Sequence, residues 1–214
     1  MLLQKIIYFN IQMLIPLTTI ANKCKLNIKG ILHIGAHDCQ EESEYVKYCQ
    51  DIVWIEGNKS IVDRQNKSNL IHALISNKDD EIVTFNISNN EQSSSILELG
   101  THKTQHPNIV YTHSIKMPTT RMDTFYKKYN IASNRFNFIN LDIQGMELQA
   151  LESFGDILNY VDYIYTEVNR NQTYKNCALI EDIDDYLKLY KFKRIETKWG
   201  TDRLSWGDAF YIKE

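Results

Sequence analysis

The chain has 214 residues, 43% of them hydrophobic and 24% charged, with a formal net charge of −3 at pH 7. That length suits one domain, and the balance is ordinary for a globular fold. The absence of a basic excess argues against a nucleic-acid partner. Cys24, Cys39, Cys49 and Cys177 lack the Cys-x-x-Cys spacing of a zinc knuckle, so reduced thiols and no bound metal are expected. The expected compartment is the cytoplasm, or a host's cytoplasm should the chain be viral.

Residues 1–20 are apolar-rich, but Lys5, Asn10, Gln12 and Pro16 interrupt the run. It falls short of the roughly 20 apolar residues that a membrane span needs. Leu3, Ile6, Ile7, Met13 and Leu14 follow helical spacing. Residues 1–29 therefore read as a helical extension that covers the domain or a second copy in a homodimer, without stable membrane insertion. The domain proper is expected over 30–214.

From Gly30 the chain alternates. Residues 30–36 form a short apolar run, 38–50 a helix candidate with Asp38 as its cap, and 51–56 a second apolar run. A helix over 59–66 and a strand over 70–75 follow. This β-α-β-α-β order predicts a parallel sheet with right-handed crossovers. Residues 81–87 alternate like a half-exposed strand, and 88–117 are polar and irregular, which reads as a functional loop. A helix is expected by Tyr129. Alternation resumes with a strand over 136–143, a helix over 147–154, a strand over 160–168 and an amphipathic helix over 179–190. A hairpin, 192–197 with 208–213, ends the chain.

Chemistry concentrates where apolar runs end. Gly35 closes the first run in Ile34-Gly35-Ala36-His37, where a glycine lets backbone approach a ligand next to a helix start. Glu56 ends the second run, 21 positions later, the spacing at which a carboxylate accepts from ribose hydroxyls in nucleotide-type folds. Asp142 ends another run within Leu141-Asp142-Ile143-Gln144-Gly145-Met146-Glu147, and Glu167 sits in Tyr165-Thr166-Glu167-Val168-Asn169. Either carboxylate can hold a ligand or take a proton. Glu147 reads equally well as a favourable charge at a helix start, and Glu167 as half of a structural ion pair. The pairs His33/His37 and His102/His106 share an i, i+4 spacing, but the first lies on a strand and Pro107 follows the second, so neither suits a metal.

Together these motifs resemble the FkbM-type family of S-adenosylmethionine (AdoMet)-dependent O-methyltransferases. The resemblance rests on Leu32–His37, Trp54–Asn58, Ser93–Leu97, Asn140–Glu147, Tyr165–Asn169 and Trp206–Tyr211. It implies a Rossmann-like class I fold: a seven-stranded, mostly parallel sheet with an antiparallel last strand and helices on both faces. It implies methyl transfer to a hydroxyl, on a small molecule, sugar or glycan, with S-adenosylhomocysteine as product. The cofactor-binding residues implied are Gly35, Ala36, His37, Glu41, Glu56 and Gly57, then Ala73, Leu74, Asp142 and Ile143. Asp142 and Glu167 are the expected catalytic pair. Ser94, Ser95, Glu147, Asn169, Tyr174, Trp206 and Asp208 are the expected acceptor contacts. Two positions depart from the family pattern: Gln144 stands where many members have glutamate, and Cys39 where many have glycine. An NAD-dependent oxidoreductase and a silent binding module on the same fold are the competing readings.

Overall fold

The computed structural model describes residues 13–201 and 204–214. In chain order the elements are α1 (Leu17–Ala21), β1 (Ile31–Ile34), α2 (Glu42–Tyr45), β2 (Ile52–Glu56), α3 (Lys59–Gln65), β3 (Leu70–His72), β4 (Leu74–Ile75) and β5 (Ile82–Ser88). Then come α4 (His102–Gln105), β6 (Tyr111–Thr120), α5 (Met122–Lys128), β7 (Phe138–Leu141) and α6 (Glu147–Phe154). A 3-10 turn (Gly155–Tyr160), β8 (Tyr163–Asn169), α7 (Ile180–Lys188), β9 (Phe192–Trp199) and β10 (Trp206–Lys213) complete the chain.

The main sheet has seven strands in the order β3-β2-β1-β7-β8-β10-β9. The first five run parallel, and β10 is antiparallel to both of its neighbours. This is the mostly parallel, seven-stranded architecture that the family resemblance implies. The chain order reverses between β1 and β7, so the carboxyl ends of β1, β2, β7 and β8 open onto one crevice, where open α/β sheets bind ligands.

Side chains alternate between two cores, as the two-residue period of a strand requires. Leu32, Ile34, Val53, Ile139 and Ile164 pack with Phe125, Leu151 and Leu187 from α5, α6 and α7. Ile31, Trp54, Phe138, Tyr163 and Phe210 pack on the other face with Tyr45, Ile15, Leu17 and Ile20. On that second face the cover is α1 and the turn around α2 rather than a long helix. The 38–50 helix expected from sequence is only Glu42–Tyr45, with no side-chain cap.

The sequence expectation differs from the structure in three further places. The strand expected over 70–75 breaks at Ala73, whose N–H donates to the Glu56 carbonyl at 3.0 Å. Leu74 and Ile75 then join a separate three-stranded sheet, β4-β6-β5. Residues 111–117, the end of the span read as an irregular loop, belong instead to β6, which pairs with β5 along its length. Residues 1–12 of the expected leading helix lie outside the described residues, and Met13 and Leu14 are not helical. What is described of the extension packs on the domain: the Leu14 N–H donates to Asp208 Oδ2 at 2.7 Å and the Ile15 N–H to the Tyr165 hydroxyl at 3.0 Å. Ile20 is fully buried. Ile20→Ala is therefore expected to cost about 2–5 kcal/mol of unfolding free energy in a urea titration, the range for buried aliphatics. A loss under about 1 kcal/mol would show the segment to be a detachable cover.

Candidate active site

The site starts at the end of β1. Gly35 and Ala36 donate their N–H groups to the Ile55 carbonyl at 2.9 and 3.0 Å, which turns the chain over β2. Gly35 has φ +91°, and a Cβ there would sit 1.8 Å from the Asp142 carbonyl oxygen. Only glycine allows this turn to lie against the end of β7. His37 and Cys39 also take positive φ, 41° and 54°. That conformation accounts for the glycine that the family resemblance expects at Cys39. The His37 N–H reaches Glu56 Oε2 at 2.9 Å, and the Asn58 N–H reaches Glu56 Oε1 at 2.6 Å. Two amides thus hold the carboxylate still while lone pairs remain for a further donor. Burial raises the Glu56 pKa, against the pull of these amides.

At the end of β7 the Asp142 N–H donates to the Ile34 carbonyl at 2.9 Å. Gln144 follows with φ 56° and Gly145 with φ 100°. The Gln144 amide Nε2 donates to Asp142 Oδ1 and, at 3.1 Å, to Glu167 Oε2, while its Oε1 accepts from the Tyr174 hydroxyl. A neutral amide therefore joins the two carboxylates. Sequence reasoning noticed Gln144 only as a departure from glutamate. A glutamate in this position would offer the pair no donor when ionised.

These groups line a cleft of about 920 Å³, at the upper end of the roughly 300–1,000 Å³ usual for small-molecule sites. All ten residues expected to hold a cofactor line it, as do Asp142, Glu167, Ser94, Trp206 and Asp208. Four expected acceptor contacts do not, and each has a different place. Glu147 is buried and accepts from the Ile143 and Gly145 N–H groups at 3.1 Å, closing the first turn of α6. Ser95 donates to the Gln144 carbonyl at 2.7 Å and fixes the loop after β5. Tyr174 is fully buried behind Gln144. Asn169 is buried at the end of β8, opposite Trp206 in the ladder. Ser94 keeps its place on the wall, but its hydroxyl is spent on the Glu91 carbonyl at 2.6 Å.

Part of the cleft's lining comes from residues 102–109, read from the sequence as loop, and none of these was singled out as a contact. His102 and Gln105 of α4, then His106, line the cleft. The backbone pairs Gly100 N to Thr173 O (2.8 Å) and Thr101 N to Gln172 O (2.9 Å) hold this segment in place. No local pattern marks these contacts, because their partners lie some 70 residues further on.

The electrostatics are one-sided. Glu41, Glu56, Glu91, Asp142, Glu167 and Asp208 line the cleft, and no lysine or arginine among the described residues does. Burial pushes Glu41 up to about 7, helped by Asp142 and Asp208. Burial likewise pushes Asp208 up to about 7, against the donors Tyr165 and Leu14. Glu167 is raised well above the carboxylate range, by burial first and then by Asp142, Glu147 and Asp208. Asp142 is raised by its enclosure, although its carboxylate still meets solvent inside the cleft. His33 has the core role expected of it: it is buried on a strand, bonded to the Tyr45 hydroxyl at 3.1 Å, and held neutral by burial with a pKa of about 3.

A family model, the methyltransferase FkbM domain, matches residues 33–194. The chain belongs to the FkbM methyltransferase family. The matched span contains the Gly35 turn, Glu56, Asp142, Gln144 and Glu167, and ends before Trp206 and Asp208. No curated protein matches the chain by sequence. Solved structures similar to it include a magnesium protoporphyrin IX methyltransferase from Synechocystis PCC 6803 with bound SAM, at 8% identity and TM-score 0.48, covering 91% of this chain and 74% of that one. An S-adenosylmethionine-dependent methyltransferase from Clostridium acetobutylicum ATCC 824 aligns at 7% identity and TM-score 0.48, covering 92% and 89%. A protein of the NADB-Rossmann superfamily from Streptococcus agalactiae aligns at 12% identity and TM-score 0.48, covering 96% and 70%. Among the described residues no helix is long and apolar enough to cross a membrane, and no group of three or more His, Cys, Asp or Glu side chains could hold a metal.

Proposed function

We propose that this FkbM-family protein transfers a methyl group from AdoMet to a hydroxyl of a sugar or glycan. The observation that carries the reading is the Asp142–Gln144–Glu167 bridge beside the Gly35 turn, in a cleft lined by carboxylates and, among the described residues, by no lysine or arginine. The residues fit a cation bearing a ribose diol. Glu56 is fixed where the diol would donate, Gly35 to His37 pass as bare backbone, and Ala73 and Leu74 give an apolar wall.

Bound AdoMet would supply an electrophilic methyl on a positively charged sulfur. Asp142, held in place by Gln144, would orient that charge. Glu167 would accept a hydrogen bond from the acceptor hydroxyl and take up its proton. Placing the two reactants in line supplies much of the rate. Labelled-methyl transfer to candidate oligosaccharides, read by mass spectrometry, tests the reading. Label on oxygen is expected. Label found only on nitrogen or carbon would refute the O-transfer assignment.

Glu56→Ala is expected to weaken AdoMet about 10- to 100-fold in a calorimetric titration, because hydrogen bonds to charged groups contribute about 1.5–3 kcal/mol. AdoMet affinity is also expected to depend on pH. Glu41 and Asp208 are raised to about 7, so they lose protons between pH 6 and 8 and attract a cation more strongly as pH rises. A gain of about three- to tenfold across that window is the expected result, and a flat profile would contradict it.

A further inference from the structure

One end of the cleft is built by chain that lies outside the family-matched span. Along the sheet from the cofactor residues on β2 and β1, β7 comes next, then β8 and β10. Glu167 and Asp208 face each other across the β8–β10 ladder. Over these two strands runs the segment before α1. The Leu14 N–H donates to Asp208 Oδ2 at 2.7 Å, the Ile15 N–H donates to the Tyr165 hydroxyl at 3.0 Å, and that hydroxyl donates to the same Asp208 oxygen. Asp208 Oδ2 accepts in both of its bonds, so a proton on Oδ1 leaves the tether intact. Ile15, Leu17 and Ile20 anchor the segment in the core below. The tether sets two apolar side chains beside the carboxylates: Met13 and Leu14 are half-buried and line the cleft. Trp206 lies two residues from Asp208, on the same face of β10, and lines the cleft with Leu204. Half-covered apolar surface inside a cleft is stabilised by a ligand group that covers the rest. A segment already held in place loses little freedom when it meets that group.

We infer, resting on the sugar-methylating reading above, that Met13 and Leu14 are specificity-determining residues of the acceptor site, and that the acceptor carries an apolar group, alkyl or aryl, close to the hydroxyl that is methylated. Tyr165 and Asp208 are the positioning residues that hold this wall over β8 and β10. The family-matched span, 33–194, contains the cofactor residues, whereas Met13, Leu14, Leu204 and Trp206 all fall outside it. The two ends of the chain thus meet at the acceptor, joined by a bond between residues 194 positions apart.

Matched glycosides test this. Methyl and butyl glycosides of candidate sugars are compared as acceptors, with AdoMet in excess, in the wild type, in the double variant Met13→Ala/Leu14→Ala and in Tyr165→Phe. In the wild type kcat/KM is expected to be about tenfold or more higher for the butyl glycoside, chiefly through KM, because its further methylenes meet apolar surface. The double variant keeps the Leu14 N–H and is expected to bring that ratio within about twofold. Its affinity for S-adenosylhomocysteine should change by less than about twofold in a calorimetric titration, since the cofactor residues lie elsewhere in the cleft. Tyr165→Phe leaves the apolar side chains but loosens the segment, and it is expected to lower the ratio as well. A loss of folded protein alone would lower both rates and leave the ratio unchanged. Equal methylation of the two glycosides by the wild type, or a ratio that survives in the double variant, overturns the inference and leaves the methyl-transfer reading standing. Methylation of neither overturns the sugar reading itself. Saturation-transfer NMR on the protein loaded with S-adenosylhomocysteine then decides the wall without turnover. Saturation of the butyl protons in the wild type and its loss in the double variant supports the inference; no saturation, or the same saturation in both, overturns it.

Discussion

Gly35→Ala is expected to abolish measurable cofactor binding and to lower stability by about 3 kcal/mol or more. Two costs add. A non-glycine residue in the left-handed region costs roughly 1–2 kcal/mol, and Gly35 has φ +91°. The new methyl would also lie 1.8 Å from the Asp142 carbonyl oxygen, a distance that forces the turn away from β7. The Asp142 N–H to Ile34 carbonyl bond sits at that same junction, so the cofactor end of β7 moves with it. Thermal unfolding with and without S-adenosylhomocysteine reads both effects. A variant that kept wild-type affinity would show that the turn does not carry the cofactor.

Glu167→Gln is the second change with a large expected effect: a fall in kcat of about 100- to 1,000-fold with AdoMet affinity changed by less than about threefold, in the range typical of a lost general base. Asp142→Asn should behave differently, weakening AdoMet itself, because its carboxylate lies at the junction of β7 with the Gly35 turn. The pH profile gives a separate check. Glu167 must be ionised to take a proton, and its surroundings raise its pKa. The rate should therefore climb as pH rises through values above the ordinary carboxylate range. A positive charge bound next to it would pull that climb towards lower pH, so the limb seen in kcat is expected below the limb in kcat/KM. Full activity of Glu167→Gln with an unchanged profile would remove Glu167 from the chemistry.

The strand ends were legible because each rests on a local rule. An apolar run of four to seven residues closed by glycine or a carboxylate marks β1, β2, β7 and β8, and the 21-residue step from Gly35 to Glu56 marks the crossover between the first two. The break at Ala73 was not legible. Leu70–Ile75 is one apolar run, and only the pairing of Leu74 and Ile75 with Thr119 and Thr120 divides it between two sheets. β6 was hidden because its outward side chains are polar and it pairs at the margin of the fold. Tyr174 illustrates the limit for the site: it was expected to contact the acceptor, yet it is fully buried against Gln144. Glu147 failed in the same way. Its carboxylate serves three backbone-amide contacts of its own helix start, a local role that the sequence had left level with the functional one. Gln144 itself was visible as an oddity, but its work depends on Glu167 and Tyr174, 23 and 30 positions away.

Calorimetric titration of the protein with AdoMet and, separately, with NAD tests most directly whether the carboxyl ends of β1, β2 and β7 hold a cationic, ribose-bearing cofactor. Saturable one-to-one binding of AdoMet, strengthened from pH 6 to 8 and weakened by Glu56→Ala, with no heat from NAD, is the predicted result. Binding of NAD in place of AdoMet, or AdoMet binding indifferent to Glu56, would contradict it.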